Sequence, residues 1–240
     1  MNFSIACRLG VVALGTLAMA GMASAAVDDE LQLTDGAGDV VTISDTGVVT
    51  ISGACTAATC STTVSAGTNS SITWDGKIGT FTFNVTTGTA PGTSIPPTIL
   101  DLNTVDTKST AAGVLTILYS ANGITGATGF QMQAGGTAAA DSTVDFTSYY
   151  NPGGALLATN TLIGDTGALG PGAFSATVGG AVLAGAGPYG LTEKLVETFT
   201  GAGQDSGDFA LNAVPEPASV SLLGGVLLLV AGTVRRRMRA

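Results

Sequence analysis

Short runs of alternating apolar and polar residues recur along the middle of this chain. In residues 80–86, Phe81, Phe83 and Val85 fall on one face, and Thr and Asn side chains fall on the other. This period of two, built from residues that favour strands, predicts a half-buried antiparallel β-strand.

About ten such runs, separated by turn residues, predict an all-β fold: an antiparallel β-sandwich or a jelly-roll-like domain. Two of them, Asp39–Ser44 and Gly47–Ser52, flank a turn and predict a hairpin. Residues 189–200 also suit one face of a helix, and the Gly-rich stretches 121–139 and 164–188 are predicted to be loops or flexible strands. The other predicted strands are Ile72–Trp74, Thr80–Thr86, Thr98–Leu102, Val114–Ser120, Val144–Tyr150, Ala173–Val178, Tyr189–Thr200 and Phe209–Val214.

Composition excludes several kinds of chemistry. The 240 residues include no His, which removes the Ser-His-Asp triad, the Cys-His dyad and His-ligated zinc. Residues 26–213 contain 16 acidic residues and 3 lysines, a net charge of −13. This segment has no cluster of basic residues that could bind the phosphates of a nucleic acid. No nucleic-acid partner is therefore expected.

The first 25 residues have the three parts of a secretory signal peptide. Arg8 precedes an apolar stretch over residues 9–23, and Ala23-Ser24-Ala25 provides the small residues that a signal peptidase requires. We therefore expect a signal helix at residues 1–25, cleavage after Ala25 and a mature chain that starts at Ala26.

The C-terminal end, residues 214–240, has a second three-part element. Pro215, Glu216 and Pro217 precede 17 apolar or small residues, 218–234. A helix of that length covers about 25 Å, just enough to cross a thin bilayer. A basic cluster follows that is expected to stay in the cytoplasm, and its members are Arg235, Arg236, Arg237 and Arg239. A plain single-span membrane anchor would have the same features.

In its order of parts this tail resembles the PEP-CTERM sorting signal of exported proteins of Gram-negative bacteria. The resemblance implies recognition of Pro215, Glu216 and Pro217 by an exosortase, a membrane cysteine protease, with the arginine cluster as the stop-transfer signal. It also implies an inner-membrane anchor before processing, and then a place at the cell surface or in the extracellular matrix. More loosely, residues 188–193 and Phe209 resemble the last hairpin of such passengers, although those often have Ser where this chain has Gly190.

The only two cysteines outside the signal peptide are Cys55 and Cys60. Their number, their spacing and an oxidising compartment predict a disulfide that closes a small loop between strands.

An acidic cluster stands at the start of residues 26–213. Within it, Asp35 and Asp39 resemble a calcium loop only weakly, because no EF-hand or nonapeptide pattern supplies the six to eight oxygens that calcium takes. Asp205 and Asp208, elsewhere in the chain, are a weaker calcium candidate still. The favoured interpretation is a set of solvated turn residues, with no metal and no cofactor. The cluster comprises Asp28, Asp29, Glu30, Asp35, Asp39 and Asp45.

Glu193 and Glu197 lie on one face of the same predicted element and are the most suggestive carboxylate pair. A glycosidase needs two carboxyl groups across a cleft, together with aromatic platforms for the sugar. Trp74 beside Asp75 could be one platform, but a lone Trp in a β-domain is more often a core residue.

Three functions follow, in order of preference. The first is a non-enzymatic exported protein of the cell surface or the biofilm and exopolysaccharide matrix, whose partners are the secretion machinery, an exosortase, the inner membrane and extracellular polysaccharide. The second is a carbohydrate-binding module of β-sandwich type, which would need an exposed aromatic strip. The third is a carboxylate-dependent hydrolase, which would need a cleft holding two nearby acids with raised pKa values.

Overall fold

The structure is a computed structural model, which describes residues 28–56, 59–67, 71–89, 98–125, 129–182 and 188–214. These residues form fourteen strands joined by turns and contain no helix. In chain order the strands are β1 Asp29–Asp35, β2 Val40–Ser44, β3 Val49–Ser52, β4 Cys60–Gly67, β5 Ser71–Ile78, β6 Phe81–Thr89, β7 Thr98–Ser109, β8 Gly113–Ile124, β9 Gly129–Ala138, β10 Ser142–Asn151, β11 Thr161–Asp165, β12 Gly172–Val182, β13 Tyr189–Phe199 and β14 Gly203–Ala213. Within this part of the chain no helix is long and apolar enough to cross a bilayer.

The strands form two antiparallel seven-stranded sheets that pack face to face. Sheet A has the order β11-β10-β13-β8-β1-β2-β3, and sheet B has the order β12-β9-β14-β7-β6-β5-β4. The predicted all-β antiparallel sandwich is therefore confirmed. The predicted signal helix and C-terminal helix lie outside the described residues.

Alternate residues of the strands fill the space between the sheets, as the period of two requires. Phe81 and Phe83 of β6 are buried, and so are Leu191, Leu195 and Phe199 of β13. Each such side chain contributes about 1.5–3 kcal/mol when it leaves water. This packing decides the ambiguous residues 189–200 in favour of a strand.

The strands confirm some of the predicted elements and differ from others. The hairpin over residues 39–52 is confirmed, since Val41 of β2 lies opposite Ile51 of β3. The Gly-rich stretches contain two long strands, β9 and β12, so strands rather than loops occupy most of their described residues. Three strands were not predicted, β1, β4 and β11, and β9 lies in a stretch for which loop and flexible strand were both left open.

The resemblance to a last hairpin is wrong for this chain. β13 and β14 are consecutive, but β13 pairs with β10 and β8 in sheet A, whereas β14 pairs with β7 and β9 in sheet B. The turn at residues 200–202 therefore carries the chain from one sheet to the other. This crossing places the inner faces of the two strands opposite each other.

The segment 152–160 folds over the outer face of sheet A, where Gly190 lies. Asn151 Nδ2 donates a hydrogen bond to the Ala158 carbonyl oxygen at 2.7 Å. A Cβ atom on Gly190 would lie 3.3 Å from the Ala155 carbonyl oxygen, which is tighter than most real contacts. Glycine at position 190 therefore allows the segment to pack closely.

Candidate functional site

The most unusual feature of the sandwich is a set of carboxyl groups inside it. Glu193 and Glu197 of β13 face sheet B, with 0% and 1% of their surface exposed. Asp205 of β14 faces Glu197 from sheet B, and Asp29 of β1 is buried in sheet A. Buried carboxyl groups are costly unless they are hydrogen-bonded, protonated or bound to a cation. This set, the interior carboxyl groups, is the candidate functional site.

Glu197 lies in a polar pocket formed by both sheets. Thr107 of β7 and Asp205 of β14 are register partners on the inner face of sheet B. Burial raises the pKa of Glu197 to about 8; the Thr107 hydroxyl lowers it in part, and the Asp205 carboxylate raises it. Two buried carboxylate oxygens here make no hydrogen bond, Glu197 Oε2 and Asp205 Oδ2, and the Thr107 hydroxyl contacts the Glu197 carboxyl group.

The other oxygen of Asp205 is firmly held. Asp205 Oδ1 accepts hydrogen bonds from the Ala139 backbone N–H at 2.7 Å and from the Ser142 hydroxyl at 2.5 Å. These donors come from the turn between β9 and β10, which lies at the same end of the sandwich. The two bonds fix the orientation of the carboxylate, and Oδ2 remains free of hydrogen bonds.

Glu193 has different neighbours. Burial raises its pKa well above the ordinary value, Asp101 adds to the effect, and the backbones of Leu102 and Leu211 partly offset it. Neither carboxyl oxygen of Glu193 makes a hydrogen bond of normal geometry. Burial thus favours the protonated form of Glu193.

Tyr119 of β8 is the register partner of Glu193 and connects it to a third carboxyl group. The Tyr119 hydroxyl donates a hydrogen bond to Asp29 Oδ2 at 2.8 Å. Burial raises the pKa of Asp29 to about 6, and the bond from Tyr119 lowers it in part. The interpretation of Asp29 as a solvated turn residue is therefore wrong, because it occupies an inward position of β1.

The arrangement of Glu193 and Glu197 does not match a glycosidase pair. Four residues along a strand separate their Cα atoms by about 13 Å, and the buried side chain of Leu195 lies between them. The carboxyl groups of retaining and inverting glycosidases lie about 5–9.5 Å apart in an open cleft. Because both groups are enclosed, no substrate reaches them in this structure.

The aromatic side chains of the described residues are also mostly inside. Trp74 is 0% exposed and packs on Phe83 with ring centroids 5.0 Å apart, so the prediction that it is a core residue is confirmed. Only Tyr149 and Phe174 are half-buried, and the other described aromatic residues are buried. An exposed aromatic strip for sugar binding is therefore not present on the described surface.

The weak calcium candidates, Asp35 and Asp39, lie at the turn between β1 and β2, and the Asp35 carboxylate accepts hydrogen bonds from the backbone of that turn. Asp35 Oδ1 accepts the backbone N–H groups of Ala37 and Asp39 at 3.0 and 2.9 Å. Both side chains are buried rather than solvated, which corrects the sequence-based expectation. These hydrogen bonds account for the buried position of Asp35, because its carboxylate closes the turn between β1 and β2.

The predicted disulfide between Cys55 and Cys60 is present, with Cα atoms 5.5 Å apart. It closes the connection from β3 in sheet A to β4 in sheet B. The Asp39 carboxylate lies within 4.8 Å of both sulfur atoms. Since the sulfurs are bonded to each other, they are not metal ligands, and the disulfide indicates an oxidising, extracytoplasmic compartment.

The sequence-predicted sorting and cleavage residues lie outside the described residues. They are Ala23, Ala25 and Ala26 of the signal cleavage site, Pro215, Glu216 and Pro217 of the sorting triplet, and Arg235, Arg236, Arg237 and Arg239 of the stop-transfer cluster.

Comparison with known proteins identifies no family for this chain and finds weak structural similarity. No family model matches the sequence, and no curated protein matches it significantly. Among solved structures, the chain is similar to one described as giving the structural basis for the promiscuous specificity of carbohydrate-binding modules of the β-sandwich superfamily. The two are 10% identical over 75% of this chain and 72% of that chain, with a TM-score of 0.31. A likeness this low assigns neither a family nor a ligand.

Proposed function

We propose that this chain is a non-enzymatic exported protein of the cell surface or extracellular matrix, delivered through its C-terminal sorting tail. The observation that carries the proposal is the enclosure of its chemically distinctive side chains. Glu193, Glu197 and Trp74, which a hydrolase or a sugar-binding module would present to its ligand, all lie inside the sandwich.

Two further observations support export. The Cys55–Cys60 disulfide is typical of an oxidising compartment. The net charge of −13 over residues 26–213 keeps such a domain soluble and directs it away from polyanions and anionic lipid. Under this proposal the tail is recognised by an exosortase at the inner membrane and the processed domain leaves for the surface.

The experiment is the intact mass of the protein recovered from the membrane and from outside the cell of its native host. The expected mass runs from Ala26 to a residue near Pro217. Replacement of Pro215, Glu216 and Pro217 by alanines should retain the unprocessed chain in the membrane, whereas Ser219→Ala should be processed normally. Unchanged processing of the triple variant would contradict the exosortase step.

The role outside the cell needs its own measurement. The released protein should sediment with the extracellular polysaccharide fraction without saturable binding to any defined oligosaccharide. Saturable one-to-one binding to an oligosaccharide would instead favour a carbohydrate-binding module. Hydrolysis of the polysaccharide that is lost in Glu193→Gln or Glu197→Gln would favour an enzyme.

A further inference from the structure

The polar pocket around Glu197 points to a ligand that the proposed function does not include. Its oxygen atoms come from both sheets: Glu197 from β13 of sheet A, and Thr107 and Asp205 from β7 and β14 of sheet B. Each of the three side chains is at least 99% buried, and two carboxylate oxygens, Glu197 Oε2 and Asp205 Oδ2, have no hydrogen-bond partner. Buried polar atoms are nearly always paired in folded proteins, so two unpartnered carboxylate oxygens on facing sheets call for a partner.

The charge of the pocket defines that partner. Two ionised carboxyl groups that face each other across the sheets would repel strongly, and a cation between them removes the repulsion. The protein does not supply one from its described residues, because Lys108 is exposed and Lys77 and Lys194 are only half-buried, away from this interior face. A divalent cation would match the charge of the two carboxylates.

The donor atoms define the chemical class of the cation. Carboxylate and hydroxyl oxygens suit hard cations, and calcium tolerates irregular sets of six to eight oxygens. Glu197 offers two oxygens, Asp205 Oδ2 one and Thr107 Oγ1 one, and water would complete the shell. The hydrogen bonds from Ala139 and Ser142 to Asp205 Oδ1 hold that ligand in place, as outer partners of metal sites commonly do.

The position of the pocket allows an ion to enter. Glu197 lies two residues before the end of β13, and Asp205 lies two residues after the start of β14. The turn between β9 and β10, at residues 139–141, lies over this end of the sandwich. An ion that enters at this end would pass this short turn, whereas Glu193 lies deeper along the strand.

We propose that Glu197, Asp205 and Thr107 bind one calcium ion between the two sheets. The ion joins β13 to β7 and β14 and thereby locks the sandwich at this end. This inference is independent of the proposed function, because it concerns the folded domain wherever the domain is delivered.

The test uses the full-length chain in detergent, stripped with a chelator and then titrated with calcium chloride at neutral pH. Equilibrium dialysis should give one calcium ion per chain. At a free calcium concentration 100-fold above the dissociation constant, the unfolding temperature should rise by about 5–10 °C. Glu197→Gln and Asp205→Asn keep the shape of each side chain and should abolish this rise.

Glu193→Gln is the matched control, because it alters a carboxyl group on the same face of the same strand, and it should keep the full calcium response. Should the charge-removing variants fail to fold, Thr107→Val should weaken calcium binding by about tenfold. The proposal is overturned if the wild-type chain binds no calcium and responds only to pH, which would make a proton the occupant. It is also overturned if Asp39→Asn, rather than Glu197→Gln, removes the binding.

Discussion

Glu193 and Glu197 are the same residue type on the same strand, face the same interior and are equally buried, yet their surroundings differ. Glu197 shares its pocket with a second carboxylate and a hydroxyl from the opposite sheet. Glu193 meets backbone groups of Leu102 and Leu211 and the ring of Tyr119, and its neighbouring carboxyl group, Asp101, is only half-buried. Burial alone therefore does not define a site. What distinguishes Glu197 from Glu193 is the fully buried carboxylate and hydroxyl that the opposite sheet places beside it.

The largest effect should come from pH in calcium-free protein. The folded state keeps the Glu197 proton up to about pH 8, whereas the group has an ordinary value of 4.5 in the unfolded chain. Stability from this group is therefore complete below pH 4.5 and is lost as the pH rises to about 8. The loss is on the order of 5 kcal/mol.

Urea unfolding in chelator between pH 4.5 and 8.5 measures this loss. In Glu197→Gln the decrease should be smaller than in the wild type by that amount. Glu193→Gln should also reduce the slope, because burial raises the pKa of Glu193 in the same direction. Parallel curves for the wild type and Glu197→Gln would show that Glu197 does not hold its proton in the folded state.

The next largest effect on stability should come from losing the carboxylate of Asp205, which two hydrogen-bond donors hold in the Glu197 pocket. Asp205→Ala would leave the Ala139 N–H and the Ser142 hydroxyl without their acceptor. Two donors left unpaired, one buried and one half-buried, should cost about 3–5 kcal/mol in the free energy of unfolding. Ser206→Ala, at an exposed position of the same strand, is the control and should change it by less than about 0.5 kcal/mol. Equal effects of the two substitutions would exclude this role for Asp205.

The smallest effect should be at the Glu193 end. Tyr119→Phe removes the hydroxyl that donates to Asp29 Oδ2 and should cost about 1.5–3 kcal/mol above the pKa of Asp29. Since this bond lowers the pKa of Asp29, its loss should move the ionisation of Asp29 above pH 6. Titration of the carboxyl carbon signals by NMR measures that shift, and Tyr149→Phe, on the outer face of β10, should leave it unchanged.

Sequence patterning was sufficient for strands whose inward positions are apolar. In β6 the inward Phe81 and Phe83 made the period visible. In β1 the same period exists, but Asp29 and Asp35 occupy the first and last inward positions and conceal it. A buried acid in an inward position is indistinguishable in sequence from a solvated one, because its partner lies on a distant strand.

For the same reason, only the part of the carboxyl pocket that lies on β13 could be predicted from the sequence. The spacing of Glu193 and Glu197 placed them on one face of one element, which is confirmed. Nothing in the sequence relates Glu197 to Thr107, 90 residues earlier, because that contact depends on the crossing of the chain between sheets after β13. The local sequence pattern indicates on which face of a strand a side chain lies. The order of the strands in the two sheets determines which residues of the other sheet lie opposite that side chain.

The place of β14 has a mechanical consequence. This last strand is hydrogen-bonded along its length to β7 on one side and to β9 on the other, and the chain then continues from residue 214 into the C-terminal tail. A force applied through the tail would act along β14 and load both ladders of hydrogen bonds in shear at once. A terminal strand at a sheet edge would instead be peeled off one bond at a time. A domain held by its C-terminal end would thus resist drag with a strand that is hydrogen-bonded on both sides.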